Sequence, residues 1–287
     1  MGLAQAFDVI PVRIFCRARR DFRLDANFLR GGFGKALRRI DRSTYDRIFE
    51  PRKIEGPSGL KDAPRPFVFR VRDHAVAAGE PFEFSFQLFA SREPLDPILQ
   101  AFEDLVQIER VEGTRALSLR LDPTCPASRI RVTFLTPTEL KGERGADPLV
   151  RSRSPERLVD ESEEMGDQGI ARGPGGPRPE FGLLFARIRD RISTLRALYQ
   201  GGPIGIDFKA IGERAAQVKM TRCEIEYVAA ERTSRRTGQT HSLGGFVGMA
   251  EYEGDLGEFL PYLEIARYTG VGRQTVWGKG EIACETF

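Results

Sequence analysis

Five residues near the end of the chain have the types and spacing for chemistry on a phosphate. Gly270, Gly272 and Gly278 stand with Arg273 and Lys279 in the run GVGRQTVWGKG, residues 270–280. Glycine accepts positive φ and lets backbone approach a ligand closely, so such a loop can offer amide donors while two cations supply charge. A tight turn into a last strand is the competing reading. Two nucleotide-loop patterns fail here. Gly278-Lys279 is followed by Gly280 rather than Ser or Thr, and position 275, where a third glycine would stand, is Thr275. An NTPase or dinucleotide enzyme is disfavoured.

Proton chemistry has few candidates, because the chain contains two histidines. Histidine titrates near neutrality and suits acid–base work. His74 falls in an expected hairpin turn over 73–80, whereas His241 lies between the cluster Arg232, Arg235 and Arg236 and the glycine-rich entrance Gly244-Gly245-Phe246-Val247-Gly248. His241 is the stronger candidate, and the three arginines suit a polyanion backbone. Cys16, Cys125, Cys223 and Cys284 form no CxxC pair, so buried thiols are expected and neither a disulfide framework nor a zinc site. No histidine and carboxylate cluster has ligand spacing, so no metal and no cofactor is expected.

Charge is unevenly placed. The whole chain carries +3, but residues 1–50 hold ten Arg and one Lys against six acids. A basic N-terminal region attracts polyanions. No run of 18 apolar residues exists and the N-terminus lacks the zones of a secretory leader, so a cytoplasmic protein without membrane contact is expected.

These residues must be positioned by a framework that reads strand, helix, strand, strand, helix, strand, twice over. In the first pass, 9–17 is a β-rich run, and 27–40 places Phe33, Leu37 and Ile40 on one helical stripe with Lys35, Arg38 and Arg39 outside it. Strands follow at 67–71 and 81–89, the second alternating through Phe82, Phe84, Phe86 and Leu88. A helix over 96–108 and a strand over 116–121 complete the pass. The second pass has a strand at 129–135, a helix at 180–199 with Phe181, Leu184, Phe185, Ile188, Ile192, Leu195 and Tyr199 on one face, and strands at 219–229 and 246–252. A helix behind an Asp255–Glu258 capping box, set back by Pro261, and a closing strand over 275–284 end it. The stretch 142–179 is rich in Gly, Pro and charge and reads as a mobile insertion. The fold class is α+β: two tandem ferredoxin-like, RRM-like βαββαβ halves with antiparallel sheets, divided as 1–127 and 128–287.

At the level of whole motifs the sequence resembles a known family. The run GGFVGMAEYEGDLGEFLPYLEIARYTGVGRQTVWGKGEI (244–282) is similar to the C-terminal signature of the CRISPR-associated RAMP endoribonucleases that process precursor CRISPR RNA. RGGFGKAL (30–37), the segment 45–49, PFVFR (66–70) and TFLTPTELK (133–141) resemble other parts of the same family. The resemblance implies metal-independent cleavage, in which a ribose 2′-hydroxyl attacks the adjacent phosphate and leaves a 2′,3′-cyclic phosphate. Such a reaction needs a base, an acid and cations on the phosphate. His241 leads for acid–base work. Tyr45 joins it if neighbouring arginines lower its pKa, and Lys35 is a third candidate. Arg30, Arg38, Arg232, Arg235, Arg236, Arg273, Lys279 and the loop glycines Gly270, Gly272 and Gly278 are expected to bind RNA. The expected partners are CRISPR repeat RNA and other CRISPR-associated effector subunits. A non-catalytic RAMP subunit that binds guide RNA is the alternative.

Overall fold

Alternating apolar runs become strands, and three- and four-residue spacings become helices. The computed structural model describes residues 5–51, 63–90, 92–123, 125–140, 178–228, 231–233, 240–242 and 244–287. Most of the stretch 142–179, together with Arg235 and Arg236, lies outside the described residues.

The first unit runs β1 (Ala6–Arg17), β2 (Phe22–Leu24), α1 (Ala26–Ile40), α2 (Arg42–Phe49), β3 (Phe67–Arg70), β4 (His74–Val76), β5 (Pro81–Leu88), α3 (Asp96–Leu105), β6 (Gln107–Glu112) and β7 (Leu117–Arg120). The second runs β8 (Arg129–Thr138), α4 (Phe181–Tyr199), α5 (Phe208–Ala215), β9 (Lys219–Val228), β10 (Glu231–Thr233), β11 (Thr240–Ser242), β12 (Gly245–Glu253), α6 (Leu260–Thr269), a 3-10 turn at Thr275–Trp277, and β13 (Ile282–Thr286). The sheet orders are β3-β5-β1-β6 and β13-β8-β12-β9, with every pairing antiparallel. In each, the first and third strands of the βαββαβ unit are central, the fourth lies beside the first and the second beside the third. That is the ferredoxin-like arrangement, given twice.

Phe33 anchors α1. It is fully buried, and its ring lies 4.5 Å from Phe102, 5.3 Å from Phe86, 5.4 Å from Phe49 and 5.9 Å from Phe67. Burying one such ring contributes about 1.5–3 kcal/mol, so one residue of the RGGFG motif does much to set where α1 sits. The second core gathers Phe181, Phe185, Tyr252 and Phe259, and also takes Phe7, Val9, Val68 and Phe89 from the first unit. The units therefore share an apolar seam. We propose that they divide after residue 127, in the connection from β7 to β8.

Five expectations are corrected. The helix over 96–108 stops at Leu105, because Val106 is extended (φ −138°, ψ 160°) and Ile108 pairs with Cys16 in the sheet. β6 is thus the fourth strand of the first unit, and the run near 116–121 becomes β7 alongside residues 6–9. His74 lies in β4 opposite Leu24, not in a turn. Asp255 and Glu258 form no capping box: Phe259 is the N-cap with no side-chain cap bond, Pro261 sits in the first turn, and Glu258 pairs with Arg214 at 2.5 Å. The closing strand begins only at Ile282, since Gln274 (φ 62°) and Gly278 (φ 75°) are left-handed and no strand accommodates them. Among the described residues, no helix is long and apolar enough to cross a membrane.

Candidate active site

The basic face of α1 meets a second helix because the chain doubles back at one residue. Asp41 ends α1 and caps α2: its Oδ1 accepts from the Ser43 amide (2.9 Å) and the Thr44 amide (3.1 Å), and its Oδ2 accepts from the Thr44 hydroxyl (2.7 Å). The Ser43 hydroxyl, which donates to Oδ1 at 2.7 Å, together with the Thr44 hydroxyl and the two amides holds the Asp41 carboxyl well below the usual carboxylate range. A side-chain cap of this kind contributes about 1 kcal/mol. The motif glycines then let the helices close. A Cβ on Gly34 would lie 2.9 Å from the Phe49 ring of α2, and one on Gly32 would lie 2.5 Å from Leu105 of α3.

Between α1 and α2 opens a cleft of about 470 Å³. It collects Arg30, Lys35, Arg38, Arg39 and Arg65 against one carboxylate, Glu50, with Tyr45 and Phe49 supplying aromatic wall. Tyr45 and Phe49 stack with centroids 5.0 Å apart and planes 9° apart. The Tyr45 hydroxyl donates to Glu50 Oε1 at 3.3 Å. The Arg38 and Arg42 guanidiniums each lie 5.8 Å from the Tyr45 ring. Arg39 is neutralised by Asp104 and Arg42 by Asp46 (2.8 Å). Among the described residues no carboxylate pairs with Lys35 or Arg38. Such a donor set, rich in nitrogen cations, suits a phosphate diester far better than a metal ion.

Tyr45 behaves oppositely to expectation. Arg38 and Arg42 do pull its pKa down, but burial and the neighbouring Glu50 carboxylate outweigh them, and the phenol is raised above its ordinary value. It stays protonated at neutral pH and acts as a donor, not as a free phenolate base.

The glycine-rich loop packs against this cleft. Arg30 lies 4.1 Å over the ring of Trp277, at the loop's tip, and 5.9 Å from that of Phe49. Gly272 and Gly280 owe their glycine to the fold itself. A Cβ on Gly272 (φ 80°) would stand 2.3 Å from the Glu139 carbonyl, and one on Gly280 (φ 69°) 1.9 Å from that of Val271. Several amides are already used: Gly270 donates to Ala266 (2.8 Å), Arg273 to Glu139 (3.2 Å), Gly278 to Thr275 (3.0 Å) and Gly280 to Pro137 (3.2 Å). The amides of Gly270, Arg273, Gly278 and Gly280 are therefore spent within the protein and are not offered to a phosphate. Arg273 also pairs with the Glu139 carboxylate at 3.0 Å. Lys279 is half-buried, and desolvation lowers its pKa.

Four of the expected site residues, Arg30, Lys35, Arg38 and Tyr45, thus meet in one place. His241 and Arg232 face one another in the register of the short β10–β11 ribbon, and their side chains lie outside the described residues. Among the described residues no group of three or more His, Cys, Asp and Glu could hold a metal ion.

The family model of the CRISPR-associated endoribonuclease Cas6 matches residues 132–282, more than half of the chain. The chain belongs to the Cas6 family. Its activity is that of an endoribonuclease in CRISPR repeat-RNA processing. A second family model, described as an N-terminal domain, matches residues 7–121. No curated protein matches the sequence at a significant level. Among solved structures, a Cas6 product complex superposes with TM-score 0.61 at 15% identity, covering 98% of this chain and 100% of that one. Thermus thermophilus Cas6 gives TM-score 0.59 at 15% identity with the same coverage. A chain of a partial Cas6-RT-Cas1–Cas2 complex gives 0.59 at 11% identity, covering 100% of this chain and 47% of that one. At such identities these neighbours establish the shared tandem ferredoxin-like fold.

Four side chains of this cleft, Arg39, Phe49, Glu50 and Arg65, stand outside the expected site. Phe49 ends α2 and Glu50 caps it, in a helix too short for its periodicity to show, and Arg65 reaches Phe49 O (3.0 Å) from beyond an intervening segment. Spacing from Tyr45 would have pointed to Phe49 at i+4; for Arg65 no local signal exists.

Proposed function

We propose that this Cas6 cuts CRISPR repeat RNA in the α1–α2 cleft, without a metal, by attack of a ribose 2′-hydroxyl that leaves a 2′,3′-cyclic phosphate. The observation that carries this reading is the convergence of Lys35, Tyr45, Glu50 and Arg38 in one cation-rich cleft. In the reaction the 2′-oxygen bonds to phosphorus as its proton passes to the Tyr45 oxygen, while the Tyr45 proton moves to Glu50. The bond from phosphorus to the 5′-oxygen breaks, and Lys35 protonates that oxygen. Arg38 and Arg30 bear the charge that gathers on the phosphate, where preorganised cations act most strongly. The test is cleavage of the cognate repeat RNA in excess EDTA, with mass analysis of the upstream product. Activity that EDTA abolishes and added metal restores would refute the reading.

Arg232, Arg235, Arg236, Arg273 and Lys279 are proposed as backbone contacts outside the cleft, with the loop residues Gly270, Gly272 and Gly278 shaping that surface. Affinity for repeat RNA should then fall by about 10³ or more between 50 and 200 mM salt, as expected for six or more phosphate contacts. A titration that stays flat over that range argues against an extended backbone site.

Because cleft residues carry the chemistry here, His241→Ala is expected to cut saturating RNA within about threefold of the wild-type rate. A fall of about 10² at unchanged affinity would return the acid–base role to the histidine. Association with other CRISPR-associated proteins is proposed from the fold shared with the chain of the Cas6-RT-Cas1–Cas2 complex.

A further inference from the structure

One buried cation lies outside the cleft and outside every role assigned so far. Arg70 ends β3 in the first unit, and its side chain is 10% exposed. Its guanidinium reaches across to both stems of the second unit's glycine-rich loop. On the entry side, Nη2 lies 3.3 Å from the Tyr268 carbonyl and 3.5 Å from that of Arg267, in the last turn of α6. On the exit side, Nε lies 3.8 Å from the carboxylate of Glu281, the residue that follows the loop. Arg191 of α4 adds a bond from Nε to the Thr269 carbonyl at 3.0 Å. Two guanidiniums thus cover three successive carbonyls at the negative end of α6, where a helix leaves its acceptors unsatisfied. The arrangement is held against a cost. Burial lowers the pKa of Arg70, and burial together with the nearby Arg70 charge lowers that of Arg191 to about 9. Gly270 makes room for it, since a Cβ there would stand 3.2 Å from Arg70 Nη2.

The loop so gripped carries Trp277 to Arg30 on the cleft wall, at 4.1 Å. We infer that Arg70 is a positioning residue for RNA cleavage: by bracing both stems of the 270–280 loop from the opposite unit, it sets Trp277 against Arg30 and so fixes the cleft's phosphate-facing cation. The inference rests on the proposal that RNA is cut in this cleft. A planar guanidinium can reach carbonyl and carboxylate at once. A lysine ammonium, as a point charge, can serve only one.

The experiment compares Arg70→Lys and Arg70→Met with wild type by two readouts, at a temperature well below every variant's unfolding midpoint. The first is acrylamide quenching of Trp277, the chain's single tryptophan, in RNA-free protein. The second is single-turnover cleavage at saturating repeat RNA, with the Kd measured alongside. Quenching should rise in both variants, and cleavage should fall by about tenfold or more while Kd moves within about threefold, because misplacement remote from the reacting atoms acts on rate. Arg70→Lys should be the milder. A folded variant with unchanged quenching, or with increased quenching and a wild-type rate, overturns the inference. Should neither Arg70 variant fold, Glu281→Gln frees the exit stem alone and is judged by the same two results. Wild-type cleavage by Lys35→Met and Tyr45→Phe would sink the cleft chemistry and this role of Arg70 with it, whereas slow cleavage by those two beside wild-type cleavage by the Arg70 variants would sink the Arg70 inference alone.

Discussion

A repeat RNA with deoxyribose at the scissile nucleotide should bind normally and remain uncut. The 2′-hydroxyl is the proposed nucleophile, and the described residues of the cleft supply nitrogen cations, a phenol that stays protonated and one carboxylate. Without the internal attacking oxygen the whole catalysed path closes, a loss of about 10⁶-fold or more in rate. Affinity should change by about threefold at most, because many backbone contacts hold the RNA and only one hydroxyl is gone. Gel analysis of the deoxy and ribo substrates under single-turnover conditions decides the matter. If the deoxy RNA is cut as fast as the ribo RNA, internal attack is wrong, and a water or protein nucleophile must be sought.

Replacing the proposed acid and the proposed proton relay should be the next most damaging change. Lys35→Met is expected to slow single-turnover cleavage by about 10²–10⁴, and Tyr45→Phe by about 10², the range for losing one positioned proton-transfer group. Both substitutions should leave the fold intact. Lys35 is exposed on α1, and a phenylalanine at 45 keeps the 5.0 Å stack on Phe49. The double variant should lose less than the product of the two single effects, because the groups act on one transition state. The pH profile adds a second check. With the Tyr45 pKa raised above its ordinary value of 10, its proton is held across neutrality, so no loss of rate from Tyr45 ionisation should appear between pH 7 and 9. A rate that rises in that window with a Tyr45-dependent step would make the tyrosine a phenolate base instead. Full activity of both single variants would move the chemistry out of this cleft.

The sequence by itself determined those features that local spacing encodes. The period-two run of Phe82, Phe84, Phe86 and Leu88 became β5 with all four side chains buried, because a strand turns every second residue to one face. The stripe through Phe33 and Leu37 became α1 and left Lys35 and Arg38 outside it, and six of the seven apolar positions of 180–199 became the buried face of α4, with Tyr199 only partly buried at its end. The βαββαβ order, read twice, determined the ferredoxin-like class, and the motifs at 30–37 and 244–282 determined the family.

Tertiary structure alone decided which of the many cations meet. Arg39 and Arg42 look equivalent to Arg38 in sequence, yet their carboxylate partners neutralise them, and one partner, Asp104, comes from a different helix. The sign of the Tyr45 shift depends on burial and on Glu50 as well as on the arginines, a sum over neighbours that no spacing rule contains. The turn at Thr275–Trp277 replaces an apparent strand because Gln274 and Gly278 are left-handed, and the early end of α3 follows from Ile108 finding a partner in Cys16 across the sheet. The grip of Arg70 on Tyr268 and Glu281 joins residues about two hundred positions apart. Such contacts are set by how two units pack along a shared apolar seam, and local periodicity carries no information about that packing.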